Sequence, residues 1–197
     1  MTREQWLHAG TDLLRPKFQT IEVPLPPTIH TSIGFPSRNA LSRSRRVIGQ
    51  CWHGMSSSDG NSHVFISPVL VEPVAILDTL AHELVHVVTP GAGHKGKFIS
   101  VAKALGLTAG KPTSAGAGPE LRAELEAIAS QLGPIPHSGL SATAREKRQT
   151  TRMVKCACPE CGYTVRTTRK WLEVAAPICP VDEVTMTVDS LNGERAA

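Results

Sequence analysis

The sequence predicts an α+β protein in which a helix-and-strand domain with a small antiparallel sheet precedes a small β domain rich in cysteine. Over residues 1–107, short runs rich in Val, Ile and aromatic residues are followed by segments in which apolar residues recur at helical spacing. The composition then shifts to Gly, Ala and Pro, and four of the five cysteines lie between Cys156 and Cys179. The expected boundaries are 1–107 for the larger domain, 108–153 for a linker with one helix, 154–187 for the cysteine domain and 188–197 for a flexible tail.

The composition is that of a globular protein. The chain has 197 residues, of which 41% are hydrophobic, enough for one compact domain with a small appendage. No run of about 18 apolar residues occurs, and the N-terminal segment lacks the apolar centre of a signal peptide, so we expect a cytoplasmic protein with no membrane contact. In a reducing compartment, clustered cysteines indicate a metal site rather than disulfides.

The first elements of the larger domain follow from local signals. WLHAGTDLLRPKF (6–18) predicts a short helix that ends near Pro16. The next segment, 21–36, is extended, and its prolines favour an edge or irregular strand. Two further strands are expected over 45–52 and 62–68, where Val, Ile and aromatic residues flank a polar turn.

Three helices are expected further along the chain. The first begins at Pro73, which suits a first helical turn, and ends before Pro90-Gly91. The second covers KGKFISVAKALGL, and the third covers PELRAELEAIASQLG, an amphipathic segment within the linker. The third helix either covers a cleft of the larger domain or spaces the two domains.

The first of these helices carries the sequence HELVH at residues 82–86. His82 and His86 are four positions apart, so both imidazoles lie on one helix face, separated by about 6 Å along the axis. Two imidazoles placed in this way can bind one Zn²⁺. Glu83 is turned by about 100° around the axis, which places its carboxylate beside the metal as a general base for a bound water. The alternative is that the helix contains these histidines by chance and binds no metal.

A catalytic zinc site needs a third protein ligand, with one position left open for water or substrate. His94 follows Pro-Gly-Ala-Gly, a turn that can return the chain to the metal, and is the preferred candidate. Glu72 and Asp78 are weaker candidates, and Asp78 could instead orient a ligand. His53 and His63 flank a turn and are expected at the surface.

Four segments, GQCWHG, VFISPVL, LDTLAHELVHVV and GHKGKFISVAKALGL, together resemble the SprT-like (Spartan-related) zinc metalloprotease family over roughly residues 6–107. The resemblance implies a zincin-like fold and peptide-bond hydrolysis. It also implies that Glu83 is catalytic and that His82, His86 and His94 bind the catalytic zinc, with His94 in the GHKGKF segment. Members of the family act on proteins crosslinked to DNA. The path between His86 and His94 is shorter here than in some relatives.

The cysteine region resembles a zinc ribbon. Cys158 and Cys161 lie in Cys-Pro-Glu-Cys-Gly, a compact metal knuckle. Cys179 begins a second knuckle in which the partner position is held by Asp182. Either Asp182 or Cys156 can supply the fourth ligand of a structural zinc, and a degenerate ribbon without metal is the third interpretation.

Positive charge is concentrated around this region. Residues 145–170 contain eight Lys or Arg and two Glu, a net charge of +6 (eight minus two), against +4 for the whole chain. Cations beside aromatic rings suit phosphate contact and base stacking, so we predict a DNA-binding surface. Its candidate residues are Arg148, Arg152, Lys155, Arg166, Arg169, Lys170 and Trp171. The alternative is a solvated charged face.

These patterns are compatible with three functions. The leading hypothesis is a zinc metalloendopeptidase that acts on DNA-bound or DNA-crosslinked proteins, with one catalytic and one structural zinc. The second is a zinc peptidase that is independent of DNA. The third is a non-enzymatic zinc- and DNA-binding adaptor.

Overall fold

The computed structural model describes residues 1–141 and 153–188. The chain divides into two compact units, Met1–Arg145 and Glu146–Ala197. Both combine helices with a small sheet, so the prediction of an α+β protein is confirmed. A search of the described residues finds no helix long and apolar enough to span a membrane.

Within residues 1–141, the first unit contains four α-helices and one sheet. Its main elements are α1 (Arg3–Thr20), β1 (Ile29–Ile33), β2 (Gly49–Trp52), β3 (Ser62–Ile66), α2 (Pro73–Val88), α3 (Lys97–Leu105) and α4 (Pro119–Leu132). Short 3₁₀ turns lie at Gly54–Ser56 and Pro112–Ser114.

The sheet of this unit is mixed, and the expectation of a purely antiparallel sheet is wrong for it. Its strand order is β1-β3-β2, with β1 parallel to β3 and β2 antiparallel to β3. Successive strands run in opposite directions, so β1 and β3 point the same way. Because β3 inserts between β1 and β2, it pairs parallel with β1 and antiparallel with β2. The long segment 34–48 lets the chain pass from β1 to the far edge and leaves the central place for β3.

Helix α1 continues past Pro16 to Thr20, four residues beyond the predicted end. Leu14 and Phe18, on either side of the proline, are both buried, so the turns before and after it are held on the core. Thr20 also donates its hydroxyl to the Pro16 carbonyl at 3.0 Å. Packing therefore outweighs the missing N–H of the proline.

Helix α2 lies at the centre of the first unit. Pro73 occupies its first turn and the Glu72 carboxylate caps it, accepting the Ala75 N–H at 2.7 Å. Its buried face packs against β2, β3 and the other helices of the unit. Ten of its sixteen residues are buried and the others are partly buried, so packing fixes the position of the side chains that it presents to a cleft.

Helix α4 packs against α1 and α2 and belongs to the first unit. Leu121 and Leu125 are fully buried, and the Trp6 indole donates to the Gly133 carbonyl at the end of the helix at 3.0 Å. The sequence interpretation placed this helix in a linker. Its apolar face instead completes the core of the larger unit, because α1 and α2 leave an apolar surface that α4 covers.

The second unit has a three-stranded antiparallel sheet. Its elements are β4 (Val154–Ala157), β5 (Thr164–Thr167), α5 (Arg169–Leu172) and β6 (Thr187–Val188), with strand order β5-β4-β6. Its small buried cluster consists of Cys156, Cys158, Cys179 and Met186. A core of this size contributes little stability, which is why such units usually depend on a metal.

Candidate active site and metal centres

Three imidazoles converge at the middle of α2. Nε2 of His94 lies 3.2 Å from Nε2 of His82 and 3.1 Å from Nε2 of His86. Nitrogens bound at about 2.0–2.1 Å to one tetrahedral zinc ion lie roughly 3.3 Å apart. The three side chains therefore have the spacing of a ligand set, and this group could hold a metal ion.

The three histidines favour the neutral form, which is the form that binds a metal ion. Burial lowers the pKa of His82 and His94 below the ordinary value for histidine, and it lowers that of His86 to about 3. Neutral imidazoles keep a lone pair for a cation at neutral pH. The group thus has both the geometry and the protonation state that a transition metal requires.

A backbone carbonyl fixes the tautomer of His82. Its Nδ1 lies 3.1 Å from the Ala115 oxygen, an acceptor, so the proton sits on Nδ1 and the Nε2 lone pair faces the other histidines. Ala115 belongs to the segment 109–117, which we call the strap; it is closed by a bridge between Ala109 and Gly116. The Ala117 N–H donates to Asp78 Oδ1 at 2.8 Å, which ties the strap to α2.

The ring of Phe98 packs against the rings of all three histidines. Its fully buried ring lies with its centroid 4.3–5.1 Å from the rings of His82, His86 and His94. His94 reaches this position because the chain reverses after α2 through Gly93, which has a φ of 57°, a value that glycine adopts without strain.

Glu83 follows His82 in α2, lines the same cavity as the three histidines and is only 6% exposed. The backbone N–H of Cys51 in β2 donates to its carboxylate, and burial raises the pKa of Glu83 to about 8. A cation at the histidines would favour the carboxylate form. Gly49 is essential to this packing, because a Cβ at that position would lie 2.5 Å from Oε1 of Glu83.

These side chains open into a cavity of about 490 Å³. Gly49, Gln50 and Cys51 of β2 line it on the Glu83 side, and strap residues 113–116 line it on the His82 side. His53, which was expected at the surface, is partly exposed and also lines the cavity. A cleft of this size accommodates a short segment of a substrate.

The two weaker candidates for the third ligand have other roles. Glu72 caps α2, and Asp78 holds the strap. Neither belongs to the donor group at the histidines, although Asp78 acts on His82 indirectly through the strap.

The second unit brings together four donors that could also hold a metal ion: Cys158, Cys161, Cys179 and Asp182. Sγ of Cys161 and Sγ of Cys179 are 3.7 Å apart, and Oδ2 of Asp182 lies 3.2 Å from Sγ of Cys158. Two thiolates at about 2.3 Å from one tetrahedral zinc lie roughly 3.8 Å apart. A hydrogen bond to Asp182 raises the pKa of the Cys161 thiol to about 12, so that thiol holds its proton until a cation replaces it.

The backbone explains why the fourth donor is Asp182. In the first knuckle, Cys158 N–H donates to the Tyr163 carbonyl and Gly162 N–H donates to the Cys158 carbonyl. The second knuckle repeats this pattern, with Cys179 N–H bonded to Val184 and Glu183 N–H bonded to Cys179. Asp182 therefore occupies the position equivalent to Cys161.

Two further backbone features are common to the two knuckles. Glu183 has a φ of 56°, close to the 75° of Gly162, its counterpart. Each leading sulfur accepts an N–H from the residue two positions on, Glu160 or Val181, at 3.4 Å. Cys156, the other candidate for the fourth ligand, is fully buried in β4 and lies outside this donor group.

Of the predicted DNA-binding residues, Arg148 and Arg152 lie outside the described residues. Lys155 and Arg166 are cross-strand partners in β4 and β5, so they share one face of the hairpin. Arg169, Lys170 and Trp171 form the exposed start of α5, with Nζ of Lys170 5.4 Å from the centroid of the Trp171 ring.

Backbone groups are the functional elements that sequence reasoning missed. The Ala115 carbonyl and the Cys51 N–H act through the main chain, which any residue supplies. By contrast, Gly49 and the repeated Cys-Pro-x-Cys/Asp pattern (158–161 and 179–182) can be recognised in the sequence.

Comparisons of the chain with family models, with curated proteins and with solved structures find no match.

Proposed function

We propose that the protein is a zinc-dependent metalloendopeptidase of the SprT-like, zincin type that acts on DNA-associated proteins. The observation that carries the proposal is the convergence of His82, His86 and His94 in a cleft that Glu83 also lines. A zinc ion held there would lower the pKa of a water toward neutrality and polarise a peptide carbonyl.

Glu83 handles the proton in this reaction. Its carboxylate takes a proton from the attacking water and delivers it to the leaving amine. The Cys51 N–H holds the carboxylate in place. Burial raises the pKa of Glu83 above its ordinary value, and a cation at the histidines would favour the carboxylate form that takes the first proton. The strap holds His82 in the tautomer whose Nε2 faces the metal.

The edge of β2 offers a binding site for an extended peptide. In the described part of the chain β2 pairs with β3 alone, so its other edge carries no strand, although the Cys51 N–H already donates to the Glu83 carboxylate. Gly49, Gln50 and Cys51 of this edge line the cavity. Backbone groups of an extended substrate can bond to such an edge irrespective of its side chains, which suits a protease that accepts many proteins.

Glu83→Gln tests the catalytic assignment. The amide keeps the shape of the carboxylate but cannot take a proton, so we expect peptide hydrolysis to fall by about 10²–10⁴-fold with zinc content unchanged. The measurement is cleavage of a DNA-binding protein, with and without DNA, together with metal analysis of the same samples.

Glu72→Gln, which changes a carboxylate in the cap of the same helix, is the matched control and should keep activity. Equal cleavage by Glu83→Gln and the wild type would overturn the hydrolase proposal.

The second unit is proposed to be a zinc ribbon that binds DNA. Lys155 and Arg166 lie opposite each other in β4 and β5 and place two cations on one face of the hairpin, which suits an anionic partner. The exposed Trp171 ring beside Lys170 adds a stacking surface next to cations. Cleavage that is insensitive to DNA would leave a peptidase and remove the DNA-directed part of the proposal.

A further inference from the structure

A second group of histidines lies on the outer face of the first unit's sheet. His30 of β1 and His63 of β3 are register partners in the parallel pair, so their side chains leave the sheet on the same face. Their ring centroids are 4.5 Å apart. Neighbouring positions Ile29, Thr31 and Val64 point the other way and are buried, which fixes the two imidazoles on the solvent side.

The loop between β2 and β3 brings a carboxylate to these rings. Oδ2 of Asp59 lies 2.6 Å from Nε2 of His30. Its other oxygen accepts the Ser57 hydroxyl at 2.6 Å and the Asn61 N–H at 2.9 Å. The Ser57 hydroxyl in turn lies 3.1 Å from Nε2 of His63. The carboxylate is thus held in one orientation beside both imidazoles.

We propose that His30, Asp59 and His63 form a further binding site for a divalent transition-metal ion. One ligand atom from each residue lies within 4.8 Å of the others, so a small rotation of each side chain brings all three to one ion. The side chains of His30 and Asp59 are 42% and 45% exposed, so the ion reaches them directly from solvent.

The donor set decides the class of metal. Two imidazoles and one carboxylate favour Zn²⁺, Ni²⁺ or Cu²⁺ over Mg²⁺ and Ca²⁺, which prefer oxygen ligands. For Nε2 of His30 to bind the ion, the ring must carry its proton on Nδ1, so that Nε2 presents a lone pair beside Oδ2 of Asp59. Three protein ligands also leave room for water or an additional ligand at the ion.

The site would join a loop to two paired strands. Asp59 belongs to a loop, whereas the two histidines belong to paired strands. The same loop begins at His53, which lines the catalytic cavity. An ion at this site therefore fastens the loop that forms part of the cavity wall to β1 and β3.

The experiment is equilibrium dialysis of the full chain, loaded beforehand with only two equivalents of Zn²⁺ for the His82–His86–His94 and Cys158–Cys161–Cys179–Asp182 groups, against increasing Ni²⁺. We expect additional Ni²⁺ binding in the wild type that is weakened at least about tenfold in His63→Gln and in Asp59→Asn. His8→Gln is the matched control: His8 is an exposed histidine 3.7 Å from a single carboxylate, Asp12, and should leave the additional binding unchanged.

A second readout locates the ion. Trp52 is the register partner of His63 across the β2–β3 pair and is exposed. Bound Cu²⁺ should quench its fluorescence, and Trp52→Phe should remove this quenching while keeping the binding. If His63→Gln fails to fold, His30→Gln provides the same comparison.

Two results would overturn the proposal. One is additional binding of the same strength in the wild type and in the His30, Asp59 and His63 variants. The other is a zinc-loaded wild type that takes up no further Ni²⁺, which would leave these residues as a hydrogen-bonded cluster that fastens the loop without an ion.

Discussion

At the scale of single residues, Gly49 is as important to the cleft as the charged side chain it contacts. An added Cβ would lie 2.5 Å from Oε1 of Glu83 and 2.7 Å from a Thr79 methyl carbon. Gly49→Ala should therefore push the carboxylate from its place, and a displacement of about 1 Å can reduce a rate about 10²-fold. We expect lower hydrolysis with unchanged zinc content, measured by steady-state kinetics and metal analysis.

Gly34→Ala is the control for this change. Gly34 follows β1, and its nearest contact for an added Cβ is a Phe65 ring carbon at 3.3 Å, far from Glu83. The explanation fails if Gly49→Ala retains full activity, or if both alanine variants lose activity equally.

Asp182 is the second residue with a distinct prediction. Asp182→Ala should remove one ligand and weaken zinc binding by at least about tenfold, whereas Asp182→Cys should restore a four-thiolate site and keep the metal. Cys156→Ala should leave metal binding intact, because Cys156 lies outside the donor group. Competition with a chromophoric chelator measures all three affinities.

Cys156→Ala also removes a buried side chain, so its thermal unfolding should be followed in parallel. Zinc binding that is lost in Cys156→Ala and kept in Asp182→Ala would reverse the assignment of the fourth ligand.

At the scale of elements, two hydrogen bonds join the strap to α2, and one of them is made by a histidine of the candidate metal centre. Asp78 accepts a hydrogen bond from Ala117, and Ala115 accepts one from His82. Asp78→Ala should release the strap and deprive His82 of its partner, which would lower metal affinity about 10–100-fold. The measurement is zinc affinity of the full chain by chelator competition.

Asp78→Asn separates this positioning role from a charge effect. The asparagine side-chain oxygen can still accept the Ala117 N–H, so metal affinity should be largely retained. Weakening by asparagine equal to that by alanine would show that the charge of Asp78, not the hydrogen bond to the strap, matters.

The elements that could be predicted are those whose signals are local. Helix α2 is marked by Pro73 at its start and Pro90-Gly91 after its end, and its apolar spacing placed His82 and His86 on one face. Helix α4 was expected over the residues where it occurs, since its amphipathic pattern is complete within the segment. The presence of histidine and cysteine groups that could hold a metal ion is likewise confirmed.

The features that could not be predicted depend on distant partners. The parallel pairing of β1 with β3 follows from where the chain crosses, not from the composition of either strand. The continuation of α1 past Pro16 depends on buried contacts of Leu14 and Phe18. The hydrogen bond from His82 to Ala115 joins residues 33 positions apart through a main-chain carbonyl, which no side-chain pattern marks.

At the scale of the whole molecule, the two units each contain their own candidate metal centre. A fragment of residues 1–145 includes the entire first unit, with the three histidines, the strap and α4. We expect this fragment to fold, to bind one fewer zinc ion than the full chain, and to cleave peptides at a similar rate while losing any stimulation by DNA. Metal analysis and cleavage assays with and without DNA test this.

A fragment of residues 1–107 provides the contrast. It lacks the strap and α4, so the apolar faces covered by Leu121 and Leu125 become exposed and His82 loses its carbonyl partner. It should aggregate or bind zinc weakly. Normal behaviour of this shorter fragment would contradict the role assigned to residues 108–133.

The carboxylate of Asp182 also determines how the second unit responds to oxidants. If Cys158, Cys161, Cys179 and Asp182 hold a zinc ion, one disulfide among these three cysteines consumes two thiols and leaves a single ligand thiol opposite a carboxylate, which peroxide does not oxidise. Peroxide would thus expel the metal in one step and leave one ligand cysteine available to glutathione, whereas a four-cysteine centre could close into two disulfides.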